Sequence, residues 1–200
     1  MFEYHVMQMA DTGLPTGGFA FSQGMEAAAV IGMVDEESLC NYLVGVLEQA
    51  GSFELPFLND FFLGEEVMEE YEASFLTLQQ YNASLAQGRA LARLWDWEAP
   101  DPPHYLAVLG IGLASEGWSL DAVQRLYLHT YLRDQLSAAI RLNLAGPLAA
   151  TRMQKFLYQS AEKVRLIHLD STHREAARCS PMLDIAQAAH SRLYTKLFQN

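Results

Sequence analysis

The chain has 200 residues and a mass of 22.4 kDa; half its residues are hydrophobic and 18% are charged, which suits one folded domain and excludes wholesale disorder. Thirteen Lys and Arg stand against 24 Asp and Glu, a formal net charge of −11 that repels a phosphate backbone and excludes a general nucleic-acid binder. Cys40 and Cys179 form no CxxC pair, and neither a secretory leader nor an apolar run of about 18 residues is present, so the expectation is a cytoplasmic chain without a membrane partner.

Strand signals are nearly absent and helical periodicity runs through most of the chain. The glycine-rich segment 11–24 is a bend, after which Ser22 is a candidate N-cap with Glu26 early in the following helix. Residues 35–50 read as a helix capped by Asp35, with Leu39, Tyr42, Leu43, Val46 and Leu47 on one face and Gly51 as its stop. Phe53, Phe57, Phe61 and Phe62 recur at helical spacing and read as core.

Residues 66–96 give one or two helices ending near Trp97, the prolines at 100, 102 and 103 make a turn, and 104–115 resume an apolar helix. Ser119 caps the longest predicted helix, 119–142, which Gly146 and Pro147 end. An amphipathic helix follows over 148–169, then a polar loop over 170–180. Pro181 opens a last helix whose apolar stripe is Met182, Ala186, Ala189, Leu193 and Leu197. The whole is a single all-α domain, a multi-helix bundle of roughly eight to ten helices.

Charge is unevenly spread. Residues 1–100 carry two bases, Arg89 and Arg93, and 16 acids, whereas residues 101–200 carry 11 bases and eight acids. The halves can pair with each other or steer a partner.

Motifs for chemistry fail one after another. The run from Gly13 to Phe19 lacks the lysine of a phosphate loop, since the only lysines are Lys155, Lys163 and Lys196. Gly110-Ile111-Gly112 has no strand before it and so makes no dinucleotide fingerprint. His168, His173, Cys179 and His190 match no metal-ligand spacing, and Ser22 lies outside a GxSxG elbow. The acids between Glu65 and Glu72 read as a hydrated helix face. No catalytic residue, metal ligand or cofactor site is assigned.

The segment from Asp11 to Ala28 contains Pro15, Gly17, Ser22, Gly24, Met25 and Glu26 in the order P-x-G-x-x-x-x-S-x-G-[LM]-E. Ser84 to Leu91 gives S-x-x-x-G-x-x-L, Ala138 to Leu142 gives A-A-I-R-L around Arg141, and Pro181, Asp184, Ile185, His190, Leu197 and Phe198 order the carboxy terminus. In these four ordered blocks the chain resembles the UreF family of urease accessory proteins. It departs at Pro147, where a glutamine is expected, at Ser191 in place of a glutamate, and at Lys196 in place of an arginine.

The resemblance implies a non-enzymatic, all-α homodimer. Such a protein joins a UreD/UreH-type scaffold and then engages a UreG-type GTPase for nickel delivery to apo-urease. It implies that the carboxy-terminal tail, 170–200, faces the scaffold, and that Arg141 serves a structural ion pair or an interface. Two rivals stand beside it: a metal-dependent helical-bundle enzyme, for which no Glu-x-x-His pair is present, and a generic helical adaptor.

Overall fold

A computed structural model describes residues 2–198, all helix, turn and loop. The elements are α1 (Phe2–Met9), α2 (Met25–Val30), α3 (Leu39–Gln49), α4 (Leu55–Leu63), α5 (Met68–Ala73), α6 (Leu78–Trp95), α7 (Tyr105–Ser115), α8 (Leu120–Arg141), α9 (Pro147–Ile167) and α10 (Pro181–Ala189). Short 3₁₀ turns lie at Gly18–Ala20, His173–Glu175 and His190–Arg192. The expected all-α bundle is what the chain forms.

Caps define several of the boundaries. Thr77 and Gln80 form a reciprocal capping box at the start of α6, and the Ser119 hydroxyl accepts the Ala122 N–H at the start of α8. Pro147 and Pro181 occupy the first turns of α9 and α10, where a missing N–H costs nothing. Pro147 therefore opens the next helix and does not merely close α8.

The layout follows from which helices bury the most apolar side chains. α7 buries Leu106, Ala107, Val108, Leu109 and Leu113, and α8 buries Val123, Leu126, Tyr127, Leu128, Leu132 and Leu136. α7 is apolar all round and must be enclosed, whereas α8 keeps Asp121 and Arg125 at the surface. α4 and α6 pack on α7, α9 packs on α3 and α8, and α10 packs on α2.

Two expectations change. Gly51 does not stop α3: the helix passes through a π turn, Ala50–Glu54, and continues as α4. A methyl group at Gly51 would lie 2.0 Å from Val164, so the glycine is there to let α9 approach. Asp35 does not cap α3 either: Ser38 holds the N-cap position, and the Asp35 carboxylate accepts the Ser38 N–H at 2.8 Å. The amino terminus packs on the body. α1 sets the His5 ring 4.4 Å from Trp95 and 5.3 Å from Trp118, with Nδ1 3.0 Å from Glu116.

Candidate functional site

The amino-terminal motif folds as an extended bend fixed by α8. Arg133 donates from Nη1 to the carbonyls of Ala10 and Asp11 at 2.8 and 2.9 Å, and Gln135 Nε2 donates to the Ser22 carbonyl at 3.2 Å. Pro15 opens the bend, Gly17 and Gly24 take left-handed backbone (φ 80° and 94°), and Ser22 is fully buried. Gly24, not Ser22, holds the N-cap position of α2, although the Ser22 hydroxyl still accepts the Glu26 N–H at 3.4 Å. A Cβ on Gly24 would lie 2.9 Å from the Gln187 backbone nitrogen, so α10 rests directly on this glycine.

That approach brings the two ends of the chain together. Glu26 is buried, its Oε2 2.8 Å from His190 Nε2, while Oε1 accepts the backbone N–H of Leu197 at 2.7 Å. A carboxylate accepts, so Nε2 carries the ring proton. Arg141 closes the other side: its guanidinium carbon sits 4.1 Å above the Phe198 ring and Nη2 donates to the Leu197 carbonyl at 3.1 Å. Phe198 is thereby buried, and Arg141 grips the tail of its own chain.

A second latch holds the start of α10. Asp184 accepts from Gln49 Nε2 at 2.9 Å and from Arg178 Nη1 at 3.0 Å, while Gln49 Oε1 accepts the Ser180 N–H at 2.8 Å. Arg178 also lies 3.9 Å over the Phe53 ring. Between these fixings the apolar stripe expected on α10 divides. Ala186 is buried with Leu183 against the body, whereas Met182 and Ile185 are 55% and 52% exposed. The helix ends at Ala189, so Leu193 and Leu197 lie beyond it, and Leu197 is 63% exposed. The exposed apolar face is therefore Met182 and Ile185, with Val30, Ile31 and Leu197 also exposed on the two segments that meet there.

Thus Gly24, Glu26, Arg141, Asp184, His190, Leu197 and Phe198, scattered across three of the four sequence blocks, are drawn together, with Ser22 held beneath them by Gln135. Pro15 and Pro181 shape the backbone leading in, and Ile185 faces outward. Sequence reasoning missed Gln49, Arg133, Gln135 and Arg178. Gln and Arg carry no periodic signal, and only their long-range partners reveal them.

The remaining histidines have separate duties. His173 Nδ1 meets Asp60 at 2.6 Å, and His168 lies beside Ser171. Burial pushes His168 and, more deeply set, His104 below the usual imidazole range. Among the described residues no group of three or more His, Cys, Asp or Glu side chains is placed to hold a metal ion. His104 does touch both Ser84 (Nδ1 to Oγ 3.1 Å) and Glu72 (Nε2 to Oε1 3.5 Å). This resembles a nucleophile relay, yet the Ser84 hydroxyl also takes the Tyr105 N–H at 3.2 Å, and His104 is enclosed by Tyr71, Phe75 and Tyr81. The arrangement ties α5, α6 and α7 together. No helix among the described residues is long and apolar enough to cross a membrane.

Comparison with known proteins supplies the family. The UreF family model matches residues 33–158. Urease accessory protein F of Oryza sativa subsp. indica is 33% identical over 96% of this chain and 82% of its own length, and that of Arabidopsis thaliana is 31% identical over 96% and 90%. Urease accessory protein UreF of Pseudomonas fluorescens is 27% identical over 98% and 97%. The family model takes in Arg141 but neither Glu26 nor the carboxy-terminal segment, and the full-length relatives extend the match across nearly the whole chain. With the motif residues gathered at one junction and this breadth of similarity, the chain belongs to the UreF family of urease accessory proteins.

Proposed function

We propose that the protein is a non-enzymatic urease maturation factor that works in the cytoplasm as a homodimer. It joins a UreD/UreH-type scaffold to a UreG-type GTPase so that nickel is inserted into apo-urease. The observation that carries this reading is the clasp of Glu26, His190 and Arg141: it holds Met182, Ile185 and Leu197 exposed on a fixed support, with Val30 and Ile31 exposed at the end of the helix that α10 packs on, and exposed apolar side chains grouped on neighbouring segments mark a protein contact. The carboxy-terminal segment, already helical and docked on α2, is pre-organised, so a partner need not order it.

The chain contributes surface and no phosphate chemistry. None of its three lysines follows a glycine in a phosphate loop, so it acts on the GTPase by favouring one of that protein's conformations. Co-expression with the scaffold and the GTPase, followed by size exclusion with mass measurement, tests the proposal. The expected product is a complex containing all three proteins and two copies of this one. Met182→Glu with Ile185→Glu removes the scaffold while leaving the melting curve within about 0.5 kcal/mol of the parent, because both positions are exposed. Undiminished scaffold capture by that double variant would place the contact elsewhere.

A further inference from the structure

The π turn, Ala50–Glu54, ends on Glu54, a partly buried acid whose Oε2 is shut off from solvent. Single π turns inside α-helices occur disproportionately at functional positions. Glu54 lines a cavity of about 140 Å³ whose other walls come from α5 to α8, the bend at Phe21 and Gln23, and the carboxy-terminal segment.

Two side-chain oxygens on the wall of this cavity are buried without a hydrogen-bond partner, Glu54 Oε2 and Gln187 Oε1. Both are acceptors, so each calls for a donor that the cavity wall does not direct at it. Its other charges are matched: Asp134 pairs with Arg133 at 2.7 Å and Arg178 with Asp184 at 3.0 Å. Among the described residues no cation lies within ion-pair distance of the Glu54 carboxylate. Once ionised, Glu54 leaves one negative charge unmatched in a chamber also walled by Tyr71, Tyr127 and Tyr131.

The missing group therefore carries N–H donors and one positive charge. An anion is repelled by both orphan oxygens. A transition metal would find a single carboxylate and no cluster of three His, Cys, Asp or Glu ligands. An alkylammonium satisfies each condition: its N–H groups serve the two acceptors, its charge neutralises Glu54, and its carbon chain lies among aromatic rings that favour a cation. The volume is close to that of an engineered cavity of about 150 Å³ that takes benzene, so a guest of about five or six heavy atoms fits.

The geometry points to a binding site for a small primary alkylammonium, held between Glu54 of the π turn and Gln187 of α10. This inference stands apart from partner docking. It places a ligand against the inner side of the same helix whose outer side carries Met182 and Ile185.

Calorimetric titration of the full chain at pH 8 with n-butylammonium chloride tests it, with 1-butanol as the uncharged molecule of equal heavy-atom count. Saturable binding of the ammonium is expected, with 1-butanol and the Glu54→Gln variant each weaker by about tenfold or more. A second arm uses the unaltered protein. Burial pushes Glu54 up to about 7, so ammonium affinity should rise about tenfold from pH 6 to pH 8 as the carboxylate forms.

The groups facing Glu54 do not confuse this window. Tyr71 on α5 and Tyr127 and Tyr131 on α8 are held well above the usual phenol range by burial, and Arg178, Asp184 and Asp134 are in ion pairs. Heat that never saturates below about 100 mM would leave only water in the cavity and overturn the site, a Kd weaker than any useful affinity. Equal binding of 1-butanol, of the variant, or at both pH values would do the same.

Discussion

The apolar centre built on α7 and α8 and the clasp built on Glu26, His190 and Arg141 keep the same chain folded by opposite means. The centre is redundant: Leu109, Leu113, Leu128 and Leu132 are buried among many similar neighbours, and exchanging one branched hydrophobe for another of equal volume costs little. The clasp is singular. One carboxylate serves an imidazole and a backbone N–H, and no other residue type supplies both at that spot. The contrast teaches that global stability and the presentation of the exposed α10 face are separable, because the tail is tied down by a few specific polar contacts of Glu26, His190 and Arg141.

The largest effect expected on either side of that contrast is Leu132→Ala, which empties a fully buried site and should lower unfolding free energy by about 2–5 kcal/mol in denaturant melts. Glu26→Ala should cost less globally but release the tail, stripping hydrogen-exchange protection from residues 181–198 while α7 and α8 keep theirs. Equal loss of protection in α7 would show that clasp and centre unfold as one unit. His190→Ala in the Glu26→Ala background should then add little, since the pair has already been broken.

Glu54 lies between the two regions and gives a pH test. Its carboxyl is raised from 4.5 to about 7 by burial, so the folded chain holds a proton that the unfolded chain has released. Ligand-free stability is therefore full below about pH 4.5 and falls as pH rises through 7. Glu54→Gln should remove that fall and stabilise the empty protein at pH 8 by about 1–3 kcal/mol, read from melts at pH 5 and pH 8. The smallest effect belongs to the surface: Arg125 reaches Asp121 at 3.2 Å and Glu162 at 3.0 Å but is half exposed, and Arg125→Ala should shift stability by less than about 1 kcal/mol.

Much of this molecule was legible before any coordinates. The Ser119 cap, the apolar steps of α8 and the proline that opens α10 are local signals, and local physics alone settles them. Pro15, Gly17, Ser22, Gly24, Glu26, His190 and Arg141 stood out by their order along the chain. The π turn did not, because Gly51 reads as a stop until α9 is known to press against it. The pairing of Glu26 with His190 spans 164 positions, and no periodicity connects residues that far apart.

Residue order, then, determined most of the helices, the Ser119 cap and the family, since hydrophobic spacing and capping chemistry act within a few positions of the backbone. Only tertiary packing decided what the marked residues do. A buried carboxylate has to be satisfied by whatever donors the fold brings within about 3 Å, and which donors those are depends on how ten helices stack. The same stacking left Glu54 facing a cavity and turned Met182 and Ile185 outward.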